Sequence, residues 1–216
     1  MYILVTGGAG YIGCHTVRAL QQEGFKVVVL DNLVHGHKEI IENVLEVPLV
    51  VGDIGDAELV TKILSGKHES TKGELVSAVV HFAAFAYVGE SVINPTKYFK
   101  NNVANSIYLL DALIEASKER RKTNANYQIP IVFSSTCATY GIPDKYPILE
   151  STKQVPINPY GESKLTIEKL LIKYAEVYGL SSIIFRYFNA AGADPKGDLG
   201  ENHLPETHLI PLAFDA

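Results

Sequence analysis

Six short runs of apolar, mostly β-branched residues recur along the chain: Tyr2–Thr6, Lys26–Leu30, Pro48–Val51, Val76–Phe82, Ile129–Ser134 and Ser181–Phe188. Helix-patterned stretches separate most of them. Such alternation predicts βαβ units on a parallel sheet. The runs are continuously apolar rather than alternating, the pattern of strands covered on both faces. Two helices are predicted to start alike, with Asn94-Pro95 and Asn158-Pro159 each placing a capping amide before a proline at the first helical position. After the first, Phe99, Val103, Ile107, Leu110 and Ile114 recur at helical spacing; after the second, Ile167, Leu170, Leu171, Tyr174 and Tyr178 do so. Both stripes read as helix packed on sheet.

Ser65–Glu74 and Ser117–Gln128 are polar without period and predict surface loops, the basic cluster Lys118–Lys122 being a solvated helix end. From Ala190, Gly192, Pro195, Gly197, Gly200, Pro205 and Pro211 break the pattern, and Leu209–Ala216 has the look of a new helix. The expectation is an α/β fold. A Rossmann-type doubly wound parallel sheet fills residues 1–189, and 190–216 begin a small C-terminal substrate lobe that stops short.

The turn after the first strand sharpens this. Gly8, Gly10 and Gly13 have the spacing G-x-G-x-x-G, and counting from Gly7 gives G-x-x-G-x-x-G. Glycines here allow a tight turn, a bare backbone beside a pyrophosphate, and close packing of helix on strand. The helix that follows turns its free N–H groups and positive dipole end toward the phosphates. The second strand ends in Asp31, where an acid grips the adenosine ribose 2′-hydroxyl of a dinucleotide.

Composition adds bounds. The chain has 216 residues, 47% apolar, enough for one large domain or one plus part of another. A net charge of −5 argues against nucleic acid as a main partner. No run of membrane-spanning length is present. The N-terminus enters a strand directly, with no secretory pattern, and the two cysteines, Cys14 and Cys137, lie far apart. A cytoplasmic protein with reduced thiols is expected. His35 and His37 have no Cys, Asp or Glu completing a set nearby, so they read as a solvated loop and no metal is assigned. His81, ending a strand, reads as a hydrogen-bonded structural histidine.

Tyr160 and Lys164 stand four apart near a helix start and share a face. A tyrosine of ordinary pKa near 10 is too weakly acidic to serve as a base at neutral pH. A nearby ammonium and the positive ring of an oxidised nicotinamide both favour the phenolate. Ser134, Ser135 and Thr136 end the preceding strand, where open α/β sheets bind ligands. Thr136 is placed to bridge a substrate hydroxyl and the Tyr160 oxygen, while turn capping accounts for serines and threonines of this kind as well.

These segments resemble the extended short-chain dehydrogenase/reductase family and, within it, the UDP-glucose (UDP-galactose) 4-epimerases. The matching stretches are Thr6–Gly13, Asp31-Asn32, Gly52-Asp-Ile54, His81–Ala84, Val88-Gly-Glu-Ser91, Asn101–Val103, Phe133–Gly141, Tyr160–Lys164, Arg186-Tyr-Phe-Asn189 and Gly200–Pro211. The resemblance implies a tightly held NAD. Gly7, Gly10, Tyr11, Ile12, Gly13, Asn32 and Ala84 would belong to its site, with Asp31 on the adenosine ribose and Asp53 and Ile54 beside the adenine. Phe82, Ala83 and Asn101 would line it, Lys164 would bind the nicotinamide ribose, and Tyr187 and Phe188 would border the nicotinamide. Asn189 and His208 would touch the UDP-sugar, held also by Thr136 and Tyr160. Tyr160 would take the proton of the sugar 4-hydroxyl while hydride leaves C4; the 4-keto sugar would turn over and be reduced on its other face. A homodimer is implied, paired through the helices that begin at Asn94 and Asn158.

Departures from that pattern are visible. Thr136 and Cys14 stand where many members have serine, Ala86 where many have lysine, and His208 where many have asparagine. Members continue for roughly a further third, which carries arginines for the diphosphate; after Arg186 this chain has only Lys196 as a Lys or Arg. Three alternatives stay open: an epimerase for UDP-N-acetylhexosamines or UDP-pentoses, a nucleotide-sugar 4,6-dehydratase, and a catalytically weak NAD-binding fragment. The dehydratase usually has Asp-Glu after the threonine, where this chain has Cys137-Ala138.

Overall fold

The computed structural model describes residues 1–124, 127–203, 206 and 208–215; Pro205 and Ala216, noted above, lie outside them. Six strands form one parallel sheet: β1 (Tyr2–Thr6), β2 (Lys26–Asp31), β3 (Leu49–Val51), β4 (Val76–His81), β5 (Ile131–Thr136) and β6 (Ser182–Tyr187). Their order is β3-β2-β1-β4-β5-β6. Around them lie α1 (Tyr11–Gln22), α2 (Ala57–Leu64), α3 (Val88–Ile93), α4 (Pro95–Tyr98), α5 (Ser106–Arg121), α6 (Pro159–Tyr178) and α7 (Leu209–Asp215). All six predicted strands are present, with ends moved by at most a few residues. The chain reverses its direction of travel across the sheet between β1 and β4. The carboxyl ends of strands flanking such a switch point open into a crevice where ligands bind.

Residues of β1 show how the sheet is covered. Tyr2 and Leu4 face one core with Val28, Leu30, Val79 and residues of α2, α5 and α6. Ile3 and Val5 face the other with Val27, Val29, Cys14, Val17 and Ile41. Period two thus puts neighbouring side chains into two separate cores. Burying each such aliphatic side chain stabilises the fold by about 1.5–3 kcal/mol. The reading of two covered faces fails at β6, where Ile183 and Phe185 are exposed and alternate with half-buried neighbours.

Both capped helix starts are present. Asn94 Oδ1 accepts the Lys97 N–H (3.3 Å) and Asn158 Oδ1 the Gly161 N–H (2.8 Å). The first helix does not run straight on, however. A π-helical stretch, Phe99–Asn105, separates α4 from α5. This wider turn shifts the phase of the stripe, so Tyr98 is fully buried and Phe99 faces out, while Leu110 and Ile114 are buried as predicted. The polar stretch from Ser117 is not a simple loop. α5 continues through Arg121, and Arg120 donates to the carbonyls of Val76 and Leu64 (both 2.5 Å). Arg121 donates to the Tyr178 carbonyl (3.1 Å). Two of the basic residues read as solvated therefore tie strand and helix ends together. In 65–74, a 3-10 turn at Glu69–Thr71 buries Thr71.

No helix of the described residues is long and apolar enough to cross a membrane. Cys14 and Cys137 are unpaired. The glycine-rich tail packs back on the sheet domain: Leu199 joins the α1 core, Tyr11 donates to the Gly192 carbonyl (2.7 Å), and Arg18 meets Asp194 and Asp198.

Candidate functional site

A cleft of about 460 Å³ opens at the carboxyl ends of the strands. Its lining includes every residue of the expected cofactor and substrate sets: Gly7, Gly10–Gly13, Asp31, Asn32, Asp53, Ile54, Phe82–Ala84, Asn101, Thr136, Tyr160, Lys164, Tyr187–Asn189 and His208.

The glycine turn has three distinct constraints. Gly7 has φ +70°, and a Cβ there would sit 2.5 Å from the Ala83 nitrogen. At Gly13 a Cβ would lie 2.2 Å from the Gly7 oxygen, so helix and turn meet with no room for a side chain. At Gly10 the protein makes no such demand, since the nearest atom would be 3.5 Å away. The bare backbone at Gly10 borders the cleft instead, as close approach by a pyrophosphate requires. Gly10 caps α1 without a side-chain bond, and the first turn of α1 holds no acid. Its free N–H groups and positive end therefore remain available to an anion.

Asp31 is buried at the end of β2. Its carboxylate accepts the Ala9 N–H (3.0 Å) and the Leu33 N–H (2.8 Å), and burial raises its pKa against the pull of those bonds. Each oxygen keeps a further lone pair for a ribose hydroxyl. Asp53 is fixed by Asn32 (3.0 Å), the Gly55 N–H (2.8 Å) and Asn105 (2.8 Å). These donors, acceptors and bare backbone fit a dinucleotide with an unphosphorylated ribose.

At the other end, Tyr160 and Thr136 line the cleft together, and Thr136 Oγ1 accepts the Ala138 N–H (3.1 Å). Thr136 thus caps a turn and also borders the cleft. Burial pushes the Tyr160 phenol up to about 12, and the Thr136 hydroxyl offsets this only in part. The expected help from Lys164 is not what dominates. Lys164 is itself buried, donates to the Ser134 carbonyl (2.7 Å) and is pushed down to about 7. Desolvation disfavours the charged form of both groups, so it raises the phenol, lowers the ammonium and moves the two pKa values apart.

His81 is structural, as predicted. Ser106 Oγ donates to the Asn102 carbonyl (2.7 Å), so it accepts from His81 Nε2 (3.0 Å), leaving Nδ1 to accept the Thr6 hydroxyl (2.7 Å). Burial and the nearby Lys164 charge hold its pKa at about 3. A neutral imidazole beside Lys164 keeps a second cation out of the site.

Residues beyond the expected set hold the site together. Asn102 is buried and grips the backbone of Phe85 from both sides (2.9 Å each) while donating to Ser163 (3.2 Å), which joins the loop after β4 to α6. Glu168, one turn beyond Lys164, bonds Ser135, Gln154 (2.9 Å) and Arg186 (2.7 Å to Nη2). Arg186 also donates to Tyr140 (2.8 Å) and the Glu150 carbonyl (3.0 Å). All three nitrogens of that guanidinium donate to protein groups. His35 is exposed but lines the cleft, edge-on to Phe85 and Tyr87, and His37 meets the Asn202 carbonyl (3.2 Å). Among the described residues the ligand-type side chains that converge are instead Glu201, His203, Glu206 and His208, a group not singled out in the sequence.

Comparison with known proteins agrees with this geometry. The family model described as "NAD dependent epimerase/dehydratase family" matches residues 3–213. The UDP-glucose 4-epimerase of Rhizobium meliloti (strain 1021) is 48% identical over 215 residues, 99% of this chain and 59% of that protein. The crystal structure of UDP-glucose 4-epimerase from Brucella ovis in complex with NAD is 46% identical with a TM-score of 0.84, over 98% of this chain and 59% of that one. UDP-glucose-4-epimerase from Stenotrophomonas maltophila, solved with bound NAD and formylated UDP-arabinopyranose, is 35% identical with a TM-score of 0.84, over 98% and 60%. The chain thus spans about 59% of the length of its relatives. With a glycine-rich turn, a buried Asp31 and Tyr160 and Lys164 all lining one cleft, this chain belongs to the NAD dependent epimerase/dehydratase family.

Proposed function

We propose that this chain is the cofactor-binding part of a UDP-glucose 4-epimerase, which interconverts UDP-glucose and UDP-galactose with NAD. The observation that carries the reading is that Thr136, Tyr160 and Lys164 line one end of a cleft whose other end holds Asp31 and the glycine turn. NAD, when bound, supplies a reversible hydride acceptor for C4 of the sugar. Gly7, Gly10, Gly13 and the start of α1 hold its pyrophosphate, Asp31 its adenosine ribose, and Lys164 its other ribose. Tyr160 Oη takes the proton from the sugar 4-hydroxyl, which Thr136 orients, and returns it after the sugar has turned. Asn189 and His208 line the same cleft and meet the UDP-sugar. Because the reaction ends redox-neutral, the cofactor is not consumed.

Residues 1–189 form the NAD domain in this reading and 190–216 open the substrate lobe. The helices around α5 and α6 carry exposed Phe99, Tyr108, Ile172 and Val177, which suit pairing with a second copy. We place the protein in the cytoplasm. A second reading, epimerisation of another UDP-sugar, is favoured by the relative solved with formylated UDP-arabinopyranose. The test is a coupled assay converting UDP-galactose to UDP-glucose, run on this chain extended to its relatives' length. Tyr160→Phe should keep NAD binding and lower the rate about a hundredfold or more. A mutant within about threefold of the parent removes Tyr160 as the base. The 216-residue chain alone should bind NAD yet give little activity, since Arg186 is occupied and Lys196 is the one Lys or Arg beyond it. Each missing charged bond to a diphosphate costs about 1.5–3 kcal/mol.

A further inference from the structure

Between Leu199 and α7 the chain carries the pattern Glu-x-His twice, as Glu201-Asn-His203 and Glu206-Thr-His208. The two pairs fold onto each other at the rim of the cleft. One ligand-type atom from each of the four side chains lies within 4.8 Å of all the others. His208 Nδ1 is 2.5 Å from a Glu201 oxygen and 3.3 Å from a Glu206 oxygen. His203 Nδ1 is 3.2 Å from the same Glu201 oxygen and 3.8 Å from Glu206. Ligand bonds of 2.0–2.2 Å in a tetrahedron put neighbouring ligand atoms about 3.3–3.6 Å apart. The four separations bracket that edge.

Charge and hydrogen bonding point the same way. The side chains of Glu201 and Glu206 are only 9% and 16% exposed, and those of His203 and His208 16% and 43%. Two carboxylates so far from water are costly unless positive charge faces them. His203 Nδ1 is buried and makes no hydrogen bond, although Glu201 stands 3.2 Å away. That nitrogen lies within 4.8 Å of a ligand-type atom of each of the other three residues.

We propose that Glu201, His203, Glu206 and His208 bind one divalent transition-metal ion of the zinc class. Imidazole and carboxylate suit Zn²⁺, and four protein ligands leave no open position for a reacting water. The ion would be structural. It would clamp the two halves of the 201–208 segment together and so set where the cleft rim stands, because the same segment runs on into cleft-lining Leu209 and Ile210.

The test is titration of the metal-free 216-residue chain with Zn²⁺ against a chromogenic chelator of micromolar affinity, with Co²⁺ spectra in parallel. The result expected is one equivalent bound, with Co²⁺ bands of tetrahedral intensity and no thiolate charge transfer. His203→Gln and Glu206→Gln should each weaken binding at least about tenfold while the far-UV circular dichroism stays that of the parent. If either variant loses that spectrum, the Co²⁺ bands of the parent decide by themselves. Failure to compete with the chelator, a weak octahedral Co²⁺ spectrum, thiolate ligation, or undiminished binding in folded variants would each overturn the proposal.

Discussion

Replacing Lys164 with methionine isolates the electrostatic cost that the site imposes on the fold. Lys164 is buried and pushed down from 10.5 to about 7. A base whose folded pKa is depressed gives up its proton first in the folded chain. Between pH 7 and 10.5 the unfolded chain therefore binds more protons, and stability rises with pH. Below about pH 7 both states are protonated and the whole penalty stands. It amounts to about 5 kcal/mol, at roughly 1.4 kcal/mol per pH unit over that interval. About 2 kcal/mol of it should be relieved between pH 7 and pH 9. Methionine fills similar space and does not titrate, so it loses the bond to the Ser134 carbonyl at every pH and the pH-dependent part of the difference belongs to Lys164. Urea unfolding of parent and Lys164→Met at pH 7, 8 and 9, without cofactor, gives the comparison. The parent should gain about 2 kcal/mol on the variant across the series, or about 1 M in midpoint at an m-value of about 2 kcal/mol/M. Tyr160, pushed up to about 12 from 10, titrates above this window. A parent–variant difference constant to within about 0.5 kcal/mol would refute the argument.

Other consequences are as direct. The chain should bind NAD more tightly than NADP, because a buried Asp31 repels a 2′-phosphate; parallel titrations showing equal or tighter NADP binding would contradict it. Gly13→Ala and Gly10→Ala should both impair NAD binding, but only Gly13→Ala, with its Cβ 2.2 Å from the Gly7 oxygen, should lower stability, by about 1–3 kcal/mol. Equal melting temperatures for the two variants would count against that distinction. Sedimentation should show a homodimer at micromolar concentration, and a lone monomer peak would dispose of the proposed helix pairing.

Much of this molecule is legible in its sequence because local rules act alone in those places. β-Branched runs gave all six strands, and Asn-Pro gave both helix starts. The turn at Gly7 and Gly13 was readable because backbone geometry there leaves no room for a side chain. Phase was harder. The π-helical stretch at Phe99–Asn105 exchanges Phe99 for Tyr98 in the core, and no periodic count over the sequence anticipates an inserted wide turn. Partnerships between distant positions were harder still. Glu168 and Arg186 meet only because α6 lies across β5 and β6, and Asn102 reaches Phe85 and Ser163 only through the folded sheet. Arg120 was read as solvated because its acceptors, the ends of β4 and α2, are brought to it by packing. The repeated Glu-x-His was within reach of a sequence reading, but attention went to His35 and His37.

The two ends of the sheet differ in what they invite. β3 closes one side with only Leu49–Val51, too short to template another strand. β6 closes the other with six residues, and among the described residues no strand pairs with its outer edge. An open edge with alternating exposed Ile183 and Phe185 offers both backbone partners and an apolar ladder to any extended polypeptide. In concentrated solution, this chain should therefore add strands at β6 rather than at β3. Two copies meeting edge to edge at β6 would use the same surface on both sides, a contact that closes on itself. A lysine at position 185 would blunt that edge while leaving the cleft untouched.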